Sequence, residues 1–232
     1  MTTFVLVHGS WAGSWNWQRL RPLLEEQGHR VLAPTLTGLA DRGHVAGPDI
    51  GLSTHIDDIT RLFEWEDLDD IVLVGHSYGG MVVTGVAGRI PERIRRLVYL
   101  DAFRPEPGQA AFDIIPALRP MFGEPPAEHP WGWPPVDMGI VGIVDPDELD
   151  WFARKCTPMP VLTHTQPLPS AAKDPSTVPV TYVHAAAADF FTETAQKAAA
   201  AGADIVTWPD AAHYPHVQHP QRVADVLLGL PA

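Results

Sequence analysis

The sequence predicts an α/β fold: a mostly parallel central sheet flanked by helices, with a lid inserted in the second half of the chain. Three observations predict it. Short runs that are apolar along their whole length, among them Phe4 to Val7 and Ile71 to Val74, alternate with stretches of helical spacing. Strands with no polar face are buried on both sides, as in parallel sheets covered by helices. The alternation then lapses from Phe103 to Lys173, where prolines and tryptophans gather, and resumes afterwards. A long irregular insertion of this kind is usually functional, and a solvated loop would not carry Trp131, Trp133 and Trp151.

Each element follows in order. Phe4 to Val7 reads as the first strand, and Trp15 to Gln27 as a helix stopped by Gly28. His29 to Ala33 is a second strand, ended by Pro34. Ser53 is placed to cap a helix with apolar residues at Ile56, Ile59, Leu62 and Phe63. Ile71 to Val74 is a strand, Tyr78 to Arg89 a helix ended by Pro91, and Leu97 to Leu100 a strand. Beyond the insertion come strand Val178 to Val183, helix Phe190 to Ala201, strand Ile205 to Trp208 and a closing helix, Val217 to Leu228.

Length and composition bound the rest. A chain of 232 residues suits one domain, 1–232, with the lid spanning 103–173. The formal net charge of −12 disfavours phosphate-backbone binding, which needs clustered Lys and Arg, so no nucleic-acid partner is expected. Cys156 is the single cysteine, which leaves no internal disulfide and no cysteine-based zinc cluster. The N-terminal stretch has no basic region followed by an apolar one, and no apolar run reaches the roughly 20 residues of a membrane span. The expectation is a cytoplasmic protein with no membrane partner. A homodimer is left open.

The chemistry is carried by "LVGHSYGGMV". Gly75-His76-Ser77-Tyr78-Gly79 fits G-x-S-x-G, a strand-to-helix turn that exposes a serine nucleophile. Alone the pattern is weak, so its partners decide. In sheet enzymes built on this elbow the chain order is nucleophile, acid, histidine. His213, in "PDAAHYPHV" between the last strand and the last helix, is the expected base. His164, His184, His216 and His219 read as ordinary polar or partly buried histidines, and His76 as filler of the elbow. A metal at His213, His216 and His219 lacks any supporting H-E-x-x-H pattern or cysteine, and none is expected. The oxyanion hole needs two backbone N–H groups. Tyr78, directly after the nucleophile, supplies one, and Ser10, in the "HGSW" turn after the first strand, supplies the other. Gly9 lets that turn approach the site. Gly9, Trp11, Trp131 and Trp133 are the expected substrate-binding residues.

"FVLVHGSWAGSWNW", "APTLTGLADR", "DIVLVGHSYGGMV", "LVYLDAFRPEPGQ" and "CTPMPVLTHTQPL" resemble the α/β-hydrolase superfamily over nearly the whole chain. Within it they are similar to the plant methylesterases and hydroxynitrile lyases and to bacterial esterases of the pyrethroid-hydrolase kind. The resemblance implies an α/β-hydrolase fold and a cofactor-free serine hydrolase of small-molecule esters. The acid departs from the pattern. Plant relatives place an aspartate just past the strand matching Val178 to Val183, where this sequence offers only Asp189, about one residue late and at a helix start. Asp101, at the end of "RRLVYLD", matches the strand end used by other superfamily members. Both are candidates, with Asp101 slightly preferred. The lyases of this branch carry threonine where Gly9 stands and lysine where Tyr214 stands, so the resemblance favours ester hydrolysis over the lyase. A hydroxynitrile-lyase-like enzyme, a thioester- or lactone-cleaving enzyme on the same scaffold, and a slow-turnover small-molecule receptor are the rival readings.

Overall fold

The computed structural model describes residues 1–231. Strand β1 (Thr3–Val7) leads through a 3₁₀ turn, Ser14–Trp17, to helix α1 (Arg21–Glu25) and strand β2 (Arg30–Leu32). The single helix expected over Trp15 to Gln27 is therefore broken. Pro22 has no N–H to continue the preceding turn and sits instead in the first turn of a new helix. Helix α2 (Leu52–Trp65) buries Leu52, Ile56, Ile59 and Phe63 on one face. Its flanking residue is Gly51, in extended conformation, and Ser53 lies inside the helix rather than capping it. The Gln166 side chain takes over that duty, accepting from the Ser53 N–H at 2.9 Å and donating to its hydroxyl at 3.0 Å.

Strand β3 (Ile71–His76), helix α3 (Gly79–Ala87) and strand β4 (Ile94–Leu100) follow. The stretch 103–173 holds four short helices, α4 (Ala111–Ile114), α5 (Arg119–Phe122), α6 (Pro146–Lys155) and α7 (Leu162–Thr165). It also holds a two-stranded antiparallel pair, β5 (Gly132–Trp133) with β6 (Met159–Pro160). The chain closes with β7 (Val180–Ala185), α8 (Thr192–Ala200), β8 (Asp204–Trp208), α9 (Pro215–Gln218) and α10 (Pro220–Leu228). Pro220 divides the predicted closing helix in two, for the same reason as Pro22.

The main sheet has six strands in the order β2-β1-β3-β4-β7-β8, and every pair is parallel. Successive residues of a strand face opposite sides, and the sequence loads both sides. Phe4, Leu6, Val72, Val74, Val98 and Leu100 pack with Trp17, Leu20, Leu24 and Leu227 on one face. Val5, Val7, Leu73, Leu97 and Tyr99 pack with α2 and α3 on the other. Each fully buried Leu or Phe stabilises the fold by roughly 1.5–3 kcal/mol relative to exposure. The strand order reverses between β1 and β3, and the crevice beyond the carboxyl ends of such strands is where open α/β sheets bind ligands. No described helix is long and apolar enough to cross a membrane.

Candidate active site

Ser10, Ser77, Asp101 and His213 come together in that crevice from four strand ends. Ser77 follows β3 with φ of +52°, a left-handed conformation that costs a residue with a Cβ about 1–3 kcal/mol. The surroundings hold it there. Its N–H donates to Leu100 O at 3.4 Å, and its carbonyl accepts from Gly80 N at 3.0 Å and Phe103 N at 3.1 Å. The crowding also explains the flanking glycines. A Cβ on Gly79 would lie 2.4 Å from Val7 O, and one on Gly80 would lie 2.0 Å from Phe103 O. Gly9 is excluded from carrying a side chain by the site itself: its Cβ would meet His76 Nδ1 and Ser77 Cβ, each at 2.9 Å. Gly9 thus backs the serine, which is a tighter constraint than a place in a substrate wall.

Asp101 follows β4, also left-handed, with φ of +44°. Its N–H donates to Val183 O at 2.7 Å, and its Oδ1 accepts the Ala185 N–H at 3.1 Å. The other oxygen, Oδ2, lies 2.7 Å from His213 Nδ1, with both side chains buried. Asp189, in contrast, is exposed and accepts the Thr192 hydroxyl just ahead of α8. Of the two carboxylates left open by the sequence, Asp101 is the one hydrogen-bonded to the histidine. His213 is held at two further points: its ring stacks on Phe191 at 5.5 Å, and its carbonyl accepts from His76 Nε2 at 2.7 Å. His76 is therefore a clamp on the loop of His213 rather than filler. Burial keeps the His76 imidazole well below its ordinary pKa, and the neighbouring His216 and His213 add to the effect, so it serves as a neutral donor.

Ser10 follows β1, and Tyr78 directly precedes α3. Among the described residues, neither the Ser10 nor the Tyr78 N–H donates to a backbone carbonyl. The turn bearing Ser10 is fixed by His8, whose Nδ1 donates to Gly9 O at 2.9 Å while its Nε2 accepts the Leu36 N–H at 3.0 Å.

Ser10, Ser77 and His213 share one cleft of about 40 Å³. Apart from His164 its other walls are apolar: Trp11 and Phe103, Leu118, Met121 and Phe122, and Phe190 and Phe191. Trp11 has φ of +60°, and its Nε1 donates to Trp133 O at 3.1 Å. Trp131 and Trp133 do not line the cleft. Trp133 is buried one layer behind it, against Phe112 and Phe122, with its Nε1 on Gly123 O at 3.2 Å. Trp131 is half-buried beside His129. Tryptophan content signalled a packed insertion, and that packing uses the indoles as core. A larger groove of about 740 Å³, lined by Arg104, Tyr99 and Asp174, contains none of Ser77, Asp101 or His213, so size does not locate the chemistry.

His164 is the residue the sequence reading passed over. It is fully buried, lines the cleft, and bonds Ser10 Oγ at 3.0 Å across 154 residues of chain. His216 is also buried, with Nε2 2.5 Å from Asn16 Oδ1 and its ring against Trp17.

A sequence model described as the alpha/beta hydrolase family matches residues 4–226. The carbendazim hydrolyzing esterase of Nocardioides sp. (strain SG-4G) is 43% identical over 180 residues, 72% of this chain and 73% of that protein. Methylesterase 1 of Arabidopsis thaliana is 39% identical over 105 residues, 44% of this chain and 40% of its own length. Among solved structures, an extracellular alpha/beta-hydrolase from a Paenibacillus species superposes with a TM-score of 0.83 at 23% identity, covering 98% of both chains. The chain belongs to the alpha/beta hydrolase family. It is a hydrolase of the esterase type.

Proposed function

We propose that this chain is a serine carboxylic ester hydrolase that cleaves a small, uncharged, apolar or aromatic ester through an acyl-enzyme. The single observation that carries the reading is the 2.7 Å bond between Asp101 and His213 at the mouth of the strained turn that bears Ser77. Asp101 accepts a hydrogen bond from the Nδ1–H and keeps the proton on that nitrogen, which leaves the Nε2 lone pair to take the proton of the Ser77 hydroxyl. Serine Oγ then bonds to the ester carbonyl carbon, and the carbonyl oxygen becomes an oxyanion. The Ser10 and Tyr78 N–H groups receive it, each worth about 3–4 kcal/mol in comparable sites. The imidazolium returns its proton to the departing alkoxide. Water, deprotonated by the same histidine, cleaves the acyl-serine and restores the hydroxyl.

The substrate class follows from the walls. No Asp, Glu, Lys or Arg side chain lines the cleft, so a charged acyl or alcohol group would be desolvated without a partner. Leu118, Met121 and Phe122, all from the 103–173 insertion, form part of the wall over Ser77, which supports reading that insertion as a lid. The ester-cleaving activities named for the Nocardioides and Arabidopsis relatives support the same reaction class.

Replacing Ser77 by alanine tests the reading. The variant is expected to fold, to lose turnover of a short p-nitrophenyl ester, and to escape labelling by a phosphonate that marks the unaltered protein at Ser77. Turnover surviving in Ser77→Ala would remove the mechanism.

A further inference from the structure

The two residues that supply the oxyanion N–H groups carry hydroxyls of their own, and both hydroxyls end on buried histidines. Donor counting fixes each histidine. Thr163 Oγ1 lies 2.5 Å from Pro160 O, and a carbonyl only accepts, so the threonine spends its single hydrogen there. The same oxygen lies 2.8 Å from His164 Nδ1, which must then be the donor. That leaves the His164 Nε2 lone pair for Ser10, whose hydroxyl donates to it at 3.0 Å. On the other side, His55 Nε2 lies 2.8 Å from Thr37 O and must donate. Its Nδ1 lone pair accepts the Tyr78 hydroxyl at 3.0 Å. The two halves meet, because the His164 ring stacks on the Tyr78 ring at 4.9 Å and 23°.

Burial holds both imidazoles neutral, at about 3 for His164 and about 4 for His55, so each keeps the lone pair this arrangement needs. His164 comes from α7 in the insertion and His55 from α2, so neither is contributed by the strand ends that carry the triad.

We propose that His164 and His55, locked in opposite tautomers, are positioning residues that fix Ser10 and Tyr78 so that their backbone N–H groups converge on the oxyanion. This rests on the serine-hydrolase reading above. His164 makes the insertion part of the catalytic frame: displacing α7 removes the acceptor that orients Ser10. The Ser10 hydroxyl, spent on His164, is not itself an oxyanion donor.

The test uses the full chain. Among the ring ¹⁵N signals of the buried neutral histidines, which include His8 and His76, the unaltered protein should show an Nδ1-protonated ring that is lost in His164→Gln and an Nε2-protonated ring that is lost in His55→Gln. Kinetically, Ser10→Ala and His164→Leu should each lower kcat by about tenfold to a hundredfold, the scale of a misplaced catalytic contact, with KM little changed. The double variant should fall no further than either single one. His164→Gln, whose amide oxygen can reach the Ser10 hydroxyl, should recover most of what His164→Leu loses. A lowered melting temperature with kcat intact, additive losses, or His164 protonated at Nε2 would each overturn the proposal. If His164→Leu does not fold, Ser10→Ala and the spectrum decide. Failure of phosphonate labelling at Ser77 would instead strike the serine-hydrolase reading, which the tautomers do not depend on.

Discussion

Asp101 and Asp189 show what one residue's place in the fold decides. Asp101 is buried, bonded by the Ala185 N–H and aimed at His213, whereas Asp189 is exposed and bonded to the Thr192 hydroxyl. Asp101→Asn cannot hold the imidazole in the tautomer the serine needs, and the equivalent change in a serine protease costs about 10⁴ in kcat. Asp189→Asn should leave kcat within a few-fold. Steady-state kinetics with one ester on both variants checks this, and a collapse in Asp189→Asn alone would reassign the acid. Ser77, His213 and the "HGSW" turn could be singled out from the sequence because each lies in a local motif with a fixed place in the chain order. The carboxylate that meets His213 could be narrowed only to a pair of alternatives. Both aspartates end up with positive φ beside a strand end, and choosing between them needs the direction of the side chain, which sequence does not carry. His164 was illegible for a related reason: its partner Ser10 is 154 residues away, and a histidine among apolar residues reads as packing.

At the level of elements, the strands were legible and the insertion was not. A strand buried on both faces announces itself by composition, so β1, β3, β4 and β7 fall within three residues of the expected runs, and the edge strand β8, with Asp204, Ile205 and Thr207 exposed, falls within one. Helices were legible in place but not in continuity, since Pro22 and Pro220 restart what the apolar spacing joins. In the 103–173 stretch, four short helices and a two-stranded pair leave no period long enough to read. Its aromatic residues divide into two layers, with Phe122 facing the cleft and Trp133 behind it. The layers should respond differently. Phe122→Ala opens the roof and should raise kcat/KM for bulky aromatic esters relative to an acetyl ester. Trp133→Ala leaves a cavity under the roof and should cost about 3–5 kcal/mol of stability, with no change in preference between the two esters. Urea midpoints and paired-substrate kinetics separate the outcomes. A selectivity change confined to Trp133→Ala would put that indole, not Phe122, in the substrate's path.

Across the whole molecule, the sequence places an unusual load of imidazole in the interior. His8 and His55 are held down at about 4 and His164 at about 3, while His76 and His216 lie well below the ordinary histidine value, in every case chiefly because burial disfavours the charged ring. Four of the five have a fixed use for the neutral form: His8 on the Ser10 turn, His55 under Tyr78, His76 on the His213 carbonyl and His164 on Ser10. Unfolding releases all of them to a pKa near 6.5. Between that value and the folded ones, the unfolded chain binds more protons than the folded chain, so stability rises with pH. Read downward, the stabilisation is complete about one pH unit above 6.5 and drains as the pH falls below it, because the unfolded imidazoles take up protons that the buried ones refuse. The exposed carboxylate pairs, such as Asp70 with Arg95 and Asp210 with Arg222, hold their acids below the ordinary carboxylate range and so act only at lower pH. The urea midpoint should therefore drop steeply between pH 7 and pH 5, with several protons taken up per molecule unfolded. His164→Gln removes one of these groups and should make the slope shallower by about one proton. A midpoint that stays level from pH 7 to pH 5 would mean that the interior accommodates charged imidazole, against the hydrogen bonding that holds Ser10 and Tyr78 in place.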